Sequence, residues 1–136
     1  MKENQHRSNC PIAYSLDYLG DKWMLIILRD LIFTNKSSYG EFLTSEEKIA
    51  TNVLANRLKQ LEENGFIKSA VSPEKKNKFN YRLTEKGIDL IPVMIELMIW
   101  GSKYNPPGAA ELLKKLADDK EGTIRSYTEK LRERIM

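Results

Sequence analysis

Apolar positions along this chain come in short periodic runs separated by polar breaks. Ile12, Leu16 and Leu19 recur at helical spacing until Gly20 and Asp21 interrupt and recap the chain. From Lys22 to Phe33 nearly every side is apolar, which predicts a helix at the centre of the fold. Ser38-Tyr39-Gly40-Glu41 has the spacing of a capping box, so a short helix over 39–43 is expected; Thr44-Ser45-Glu46-Glu47 offers a second box. Thr51 or Asn52 can cap the next helix, which runs to Asn64 and ends at Gly65. Leu54, Leu58 and Leu61 form its inward stripe, leaving Asn52, Ala55, Asn56 and Lys59 on the other face.

The period then changes from helical to twofold. Ile67, Ser69 and Val71 alternate with Lys68 and Ala70, and Phe79, Tyr81 and Leu83 alternate with Asn80 and Arg82, which predicts a β-hairpin. Its connection, residues 72–78, is polar and lysine-rich. Thr84 is placed to cap a long helix carrying Ile88, Ile91, Ile95 and Met98 and ending at Trp100-Gly101, with Pro92 kinking it or marking its true start. Beyond the breaker at 106–108, Leu112, Leu113, Leu116, Ile124, Tyr127 and Leu131 give one or two amphipathic helices.

Helix, short helix, helix and a basic-tipped hairpin is the order of a winged helix-turn-helix, a mainly α fold with a small β-hairpin wing. Charge adds to this picture. Residues 48–86 hold nine Lys or Arg against four acids, a balance of +5, while the rest of the chain carries −2 of the +3 total. That is the distribution expected of a face that binds a polyanion. Asn pairs bidentately with adenine and Arg with guanine, and small residues such as Thr51 and Ala55 touch a thymine methyl. The groove-reading set is therefore Thr51, Asn52, Ala55, Asn56 and Lys59, with Ser38 at the start of the helix-turn-helix. Lys75, Lys76 and Lys78 on the wing suit phosphates, which position without reading sequence, and are assigned to backbone or minor-groove contact. Arg57 lies beside the apolar stripe, where a DNA contact and an internal ion pair are both open to it.

Other chemistry is poorly supplied. The one cysteine, Cys10, has no intrachain partner, and the single His6 lies in a polar segment, so neither structural metal nor cofactor is expected. No paired carboxylates with a nearby His or Cys and no glycine-rich phosphate loop point to catalysis. The apolar run at 23–28 is far short of the roughly 20 residues that span a bilayer, and residues 1–9 have no apolar signal region, so a cytoplasmic protein is expected. A winged helix used only for protein docking is the rival reading, against which the basic wing and the amide-rich helix both argue. Trp23, Tyr39, Phe42 and Trp100 at helical spacing are read as core before pocket lining.

Several segments are similar to those of the HxlR-type regulators, relatives of the MarR winged-helix group. Cys10-Pro11-Ile12 resembles the family's opening. Gly20-Asp21-Lys22-Trp23 and Leu28-Arg29-Asp30-Leu31 resemble its Gly-Lys-Trp and Leu-Arg-Asp-Leu signatures. Val53-Leu54, Arg57-Leu58 and 61–65 resemble its recognition helix, and 81–87 with Pro92 and Trp100-Gly101 its wing exit. Asp21 stands where a second glycine is common and Ala50 where a capping Ser is common. The resemblance implies a tail over 1–9, a winged helix-turn-helix over 10–101, and a homodimeric regulator of duplex DNA joined through N- and C-terminal helices. Residues 102–136 lie outside it and read as a helical extension packing on the dimer. It also makes Cys10, just before a helix N-terminus, the candidate sensor of oxidants or electrophiles, against the plain reading of a small buried residue. A small-molecule input is the other option.

Overall fold

Start signals in the sequence place most of the helices. The computed structural model describes residues 8–72, 74, 78–105 and 108–135. Pro11 opens α1 (Pro11–Leu19), and the Asp21 carboxylate, accepting from the Met24 N–H at 3.2 Å, caps α2 (Lys22–Phe33). α2 is the central helix, with Met24, Ile27, Leu28, Leu31 and Ile32 all buried. Against them pack Phe42 from α3 (Tyr39–Phe42) and Leu54, Leu58 and Leu61 from α4 (Thr51–Glu63). The box at Ser38 is formed: Ser38 Oγ accepts from the Glu41 N–H, and the Glu41 carboxylate accepts from the Ser38 N–H.

The second expected box starts no helix. Ser45 is buried, and its hydroxyl donates to Asp30 Oδ2 at 2.5 Å while accepting from Lys36 Nζ at 3.0 Å. The two residues of the box are engaged elsewhere, the Thr44 hydroxyl donating to the Glu41 carbonyl at 2.7 Å and the Glu47 carboxylate accepting from Arg29. Arg29 completes the cluster, bonding Asp30 and gripping Glu47 through two N–H groups at 2.6 and 2.9 Å. This network ties the chain between α3 and α4 to the central helix.

Gly65, at φ 83°, turns the chain out of α4 in the left-handed conformation that glycine adopts freely. Strands β1 (Ile67–Val71) and β2 (Phe79–Leu83) pair antiparallel, from Ile67 opposite Leu83 to Val71 opposite Phe79, as the alternation predicts. A bridge from Ser38 to Asn80 and the bond from Tyr81 N–H to Ser37 carbonyl join the wing to the entry of α3. The long helix expected after Thr84 is two helices. Thr84 caps only α5 (Glu85–Ile88), and Pro92 stands in the first turn of α6 (Ile91–Tyr104), which continues past Gly101 to Tyr104. Gly87 is required here, because a Cβ would lie 2.3 Å from the Phe66 carbonyl oxygen.

α7 (Ala110–Asp118) and α8 (Lys120–Arg132) fold back on their own chain. Leu116 and Leu131 join the main core, Tyr127 meets the edge of Phe33 at 5.3 Å, and Arg132 bonds Glu85 at 2.7 Å. Lys120 pairs with Glu96 on α6. No helix among the described residues is long and apolar enough to cross a membrane.

Candidate nucleic-acid interface

One face of α4 belongs to the core and the other to solvent. Leu54, Leu58 and Leu61 are buried, while Thr51, Asn52, Ala55, Asn56 and Lys59 are all exposed on the opposite side. Thr51 and Asn52 are the first helical residues and not its cap: Ala50 takes that place and has no side-chain acceptor. The amino end of α4 therefore keeps backbone N–H groups open to an anion, the partner favoured by a helix N-terminus. Tyr39 fixes this end, its hydroxyl donating to the Thr51 carbonyl at 3.0 Å.

Arg57 makes the internal pair. Its guanidinium donates to Asp21 at 2.9 Å and 3.3 Å, joining α4 to the start of α2 across 36 residues. The hydrogen bond from Arg57, assisted by the Met24 N–H and opposed by partial burial, holds the Asp21 carboxyl below its ordinary range. Arg57 also donates to Asn56 Oδ1 at 2.6 Å, and Gln60 donates to the same oxygen at 3.0 Å. The Asn56 amide is thus held through its carbonyl oxygen. Among the described residues Lys59 reaches only Glu63, 4.0 Å away, and it remains largely exposed.

Ser38 is half-buried with its hydroxyl engaged by Glu41, which makes it a structural cap of α3. Lys78 is exposed at the foot of β2; Lys75 and Lys76 lie outside the described residues. Lys86 and Glu62, absent from the set read from sequence, fix the wing on the helix-turn-helix. Lys86 Nζ donates to the Asn64 carbonyl at 2.9 Å and lies 4.6 Å from the Phe66 ring centroid. Glu62 accepts from both the backbone and hydroxyl of Ser69. Their partners are set by the turn at Gly65, so residue type alone did not mark them.

Cys10 is exposed at the N-cap of α1, which overturns the reading of a small buried residue. Trp100, expected in the core, is 65% exposed on α6. Phe42 is buried, and Trp23 and Tyr39 pack half-buried against the core.

The arrangement has relatives of known family. Residues 18–109 match the HxlR-like helix-turn-helix family. Over 95 residues the chain is 38% identical to the HTH-type transcriptional regulator YdeP of Bacillus subtilis (strain 168), spanning 70% of this chain and 73% of that one. The crystal structure of PA1607 superposes with a TM-score of 0.66 at 36% identity, covering 75% of this chain and 70% of the other. The redox regulator HypR in its oxidised form superposes with a TM-score of 0.62 at 29% identity, covering 69% and 96%. The match over residues 18–109 and the identity to YdeP place the chain, with the exposed, amide-rich face of its α4, in the HxlR-like helix-turn-helix family of DNA-binding transcriptional regulators, which are not enzymes.

Proposed function

We propose that the chain is a sequence-specific repressor that acts in the cytoplasm as a homodimer on a pseudo-palindromic duplex. The outward face of α4 carries this reading. Asn52 and Asn56 are assigned to base edges, Thr51 and Ala55 to thymine methyls, and Lys59 to the same groove, all from the exposed face of α4. Lys75, Lys76 and Lys78 are assigned to phosphates beside the groove, and Arg57 to holding Asn56. A dimer is supported by the surface of α1, none of whose residues is buried although it presents Ile12 and Leu16, and by Val93, Leu97 and Trp100 on α6. Twofold symmetry then sets half-sites about 10 bp apart, centre to centre. A dimer lying across a promoter blocks it without further contacts, which makes repression the simplest outcome.

The test is an anisotropy titration against the duplex upstream of the protein's own gene and a scrambled duplex of equal length, at several salt concentrations. Preference for the native duplex by about 1000-fold, with affinity falling steeply as salt rises, is expected. Equal weak binding to both, followed by failure to select any site from random DNA, would leave the fold as a docking module.

Cys10 is the proposed redox input, supported by its exposure at the N-terminus of a helix with an uncovered apolar face and by the likeness to the redox regulator HypR. Diamide or a quinone is expected to weaken operator binding by the wild type and to leave Cys10→Ala unaffected. Equal responses in the two proteins would remove Cys10 from the mechanism.

A further inference from the structure

A second concave site lies at the base of the wing, away from α4. A cleft of about 280 Å³ opens between β2, the segment entering α3 and the end of α8. Its apolar lining comes from Leu31, Leu83 and Leu131, and its charge from Lys36, Arg82 and Arg134, with no acidic residue among the lining groups. All three cations are half-buried. Lys36 donates to Ser45, but Arg82 and Arg134 form no ion pair or side-chain hydrogen bond with any described residue. Three like charges around one partly desolvated concavity repel one another, and an anion seated among them relieves that repulsion. Guanidinium groups favour planar two-oxygen acceptors, and the leucine-lined part favours an apolar body. The volume lies near the lower end of ligand pockets, roughly 300 Å³ upwards, which excludes large ligands. A duplex is a poor occupant, because no residue of α4 lines the cleft and part of its wall is α8.

We propose that this cleft binds a small organic carboxylate, its charge held by Arg82, Arg134 and Lys36 and its apolar body against Leu31, Leu83 and Leu131. The site requires α8, which lies beyond the family-matched residues 18–109, so this input is a property of the chain's own C-terminal extension. Its consequence for regulation rests on the DNA-binding reading above. Arg82 lies on β2, and the wing is joined to the entry of α3 through Tyr81 and Ser37. Negative charge in the cleft cancels part of the basic field there and lowers affinity for a duplex.

Calorimetry on the full chain without DNA tests the site directly, with benzoate as probe and benzamide and inorganic phosphate as controls. Benzoate is expected to bind with a Kd below about 1 mM, and benzamide and phosphate at least roughly tenfold more weakly. Arg82→Gln and Arg134→Gln should each weaken benzoate by about tenfold or more. Both side chains are partly solvent-exposed, and circular dichroism identifies a variant that has misfolded, in which case the other carries the test. Unchanged benzoate affinity in a folded variant, no benzoate binding, or phosphate binding as tightly as benzoate would each overturn the site. Saturating benzoate should then lower operator affinity, and an unchanged affinity would overturn its regulatory role. Failure of the unliganded protein to select any duplex would instead count against the DNA-binding reading, leaving the calorimetric result intact.

Discussion

Two helices of this molecule turn a face to solvent, and they do so with opposite chemistry. On α4 the exposed residues are Thr51, Asn52, Ala55, Asn56 and Lys59; on α1 they include Ile12, Tyr14 and Leu16. The α4 set consists mainly of hydrogen-bonding groups and a cation, which lose little in water and gain specific partners on a polyanion. The α1 set gains nothing from water, and each large apolar side chain covered by a protein surface contributes about 1.5–3 kcal/mol. Exposure alone therefore does not identify a binding face. Its composition does: α4 fits nucleic acid, and α1, with the Val93, Leu97 and Trp100 face of α6, fits a second copy of the chain.

The comparison sharpens first within α4, where stability and recognition are expected to separate by face. Leu54→Ala, at a position with 0% exposure, should lower folding stability by about 2–5 kcal/mol in urea denaturation. Asn52→Ala and Asn56→Ala should leave stability within about 0.5 kcal/mol while reducing operator affinity about 10- to 100-fold, read by anisotropy. Comparable stability losses from both faces would dissolve the distinction.

A smaller effect concerns the segment that carries α4. The hydrogen bonds from Arg29 bring the Glu47 carboxyl down to about 2 from an ordinary value of 4.5, against a partial opposing effect of burial. Because the folded state holds this group ionised more strongly than the unfolded chain does, the stabilisation is present above about pH 4.5 and disappears as pH falls towards 2. Both side chains are about a third exposed, at 31% and 37%, so solvent screening limits the contribution to about 1 kcal/mol at neutral pH. Glu47→Gln should lose that amount and show a shallower acid dependence of its urea midpoint. A parallel pH dependence in both proteins would assign the acid sensitivity to other carboxylates, such as Asp21 and Glu41, whose pKa values are also lowered.

Local periodicity made much of this legible in the sequence. The Leu54, Leu58 and Leu61 stripe, the alternation at 67–71 and 79–83, and the Ser38 capping box each depend on neighbours a few residues away, and each is found where expected. What was not legible depends on distant partners. The Thr44 box matched in spacing but lost Glu47 to Arg29, 18 residues back, and Arg57 found Asp21 across 36 residues. Pro92, offered by the sequence as a kink or as the true start of the helix, is the start: it stands in the first turn of α6, and Thr84 caps only α5. For the candidate interface, the sequence located the exposed face of α4; it did not reveal that Arg57 and Gln60 bond Asn56, nor that Ser38 is occupied as a cap.

The most direct test of the two-face account places charge on the apolar face and leaves α4 untouched. Leu16→Glu combined with Leu97→Glu alters two residues that are 59% and 47% exposed in the single chain, so folding should survive. Sedimentation at about micromolar concentration, paired with operator anisotropy, then reads both faces. The account predicts a wild-type dimer that binds the palindrome, and a folded monomeric double variant that has lost specific affinity. A variant that remains dimeric, or a monomer that binds the operator as tightly as the wild type, would contradict it.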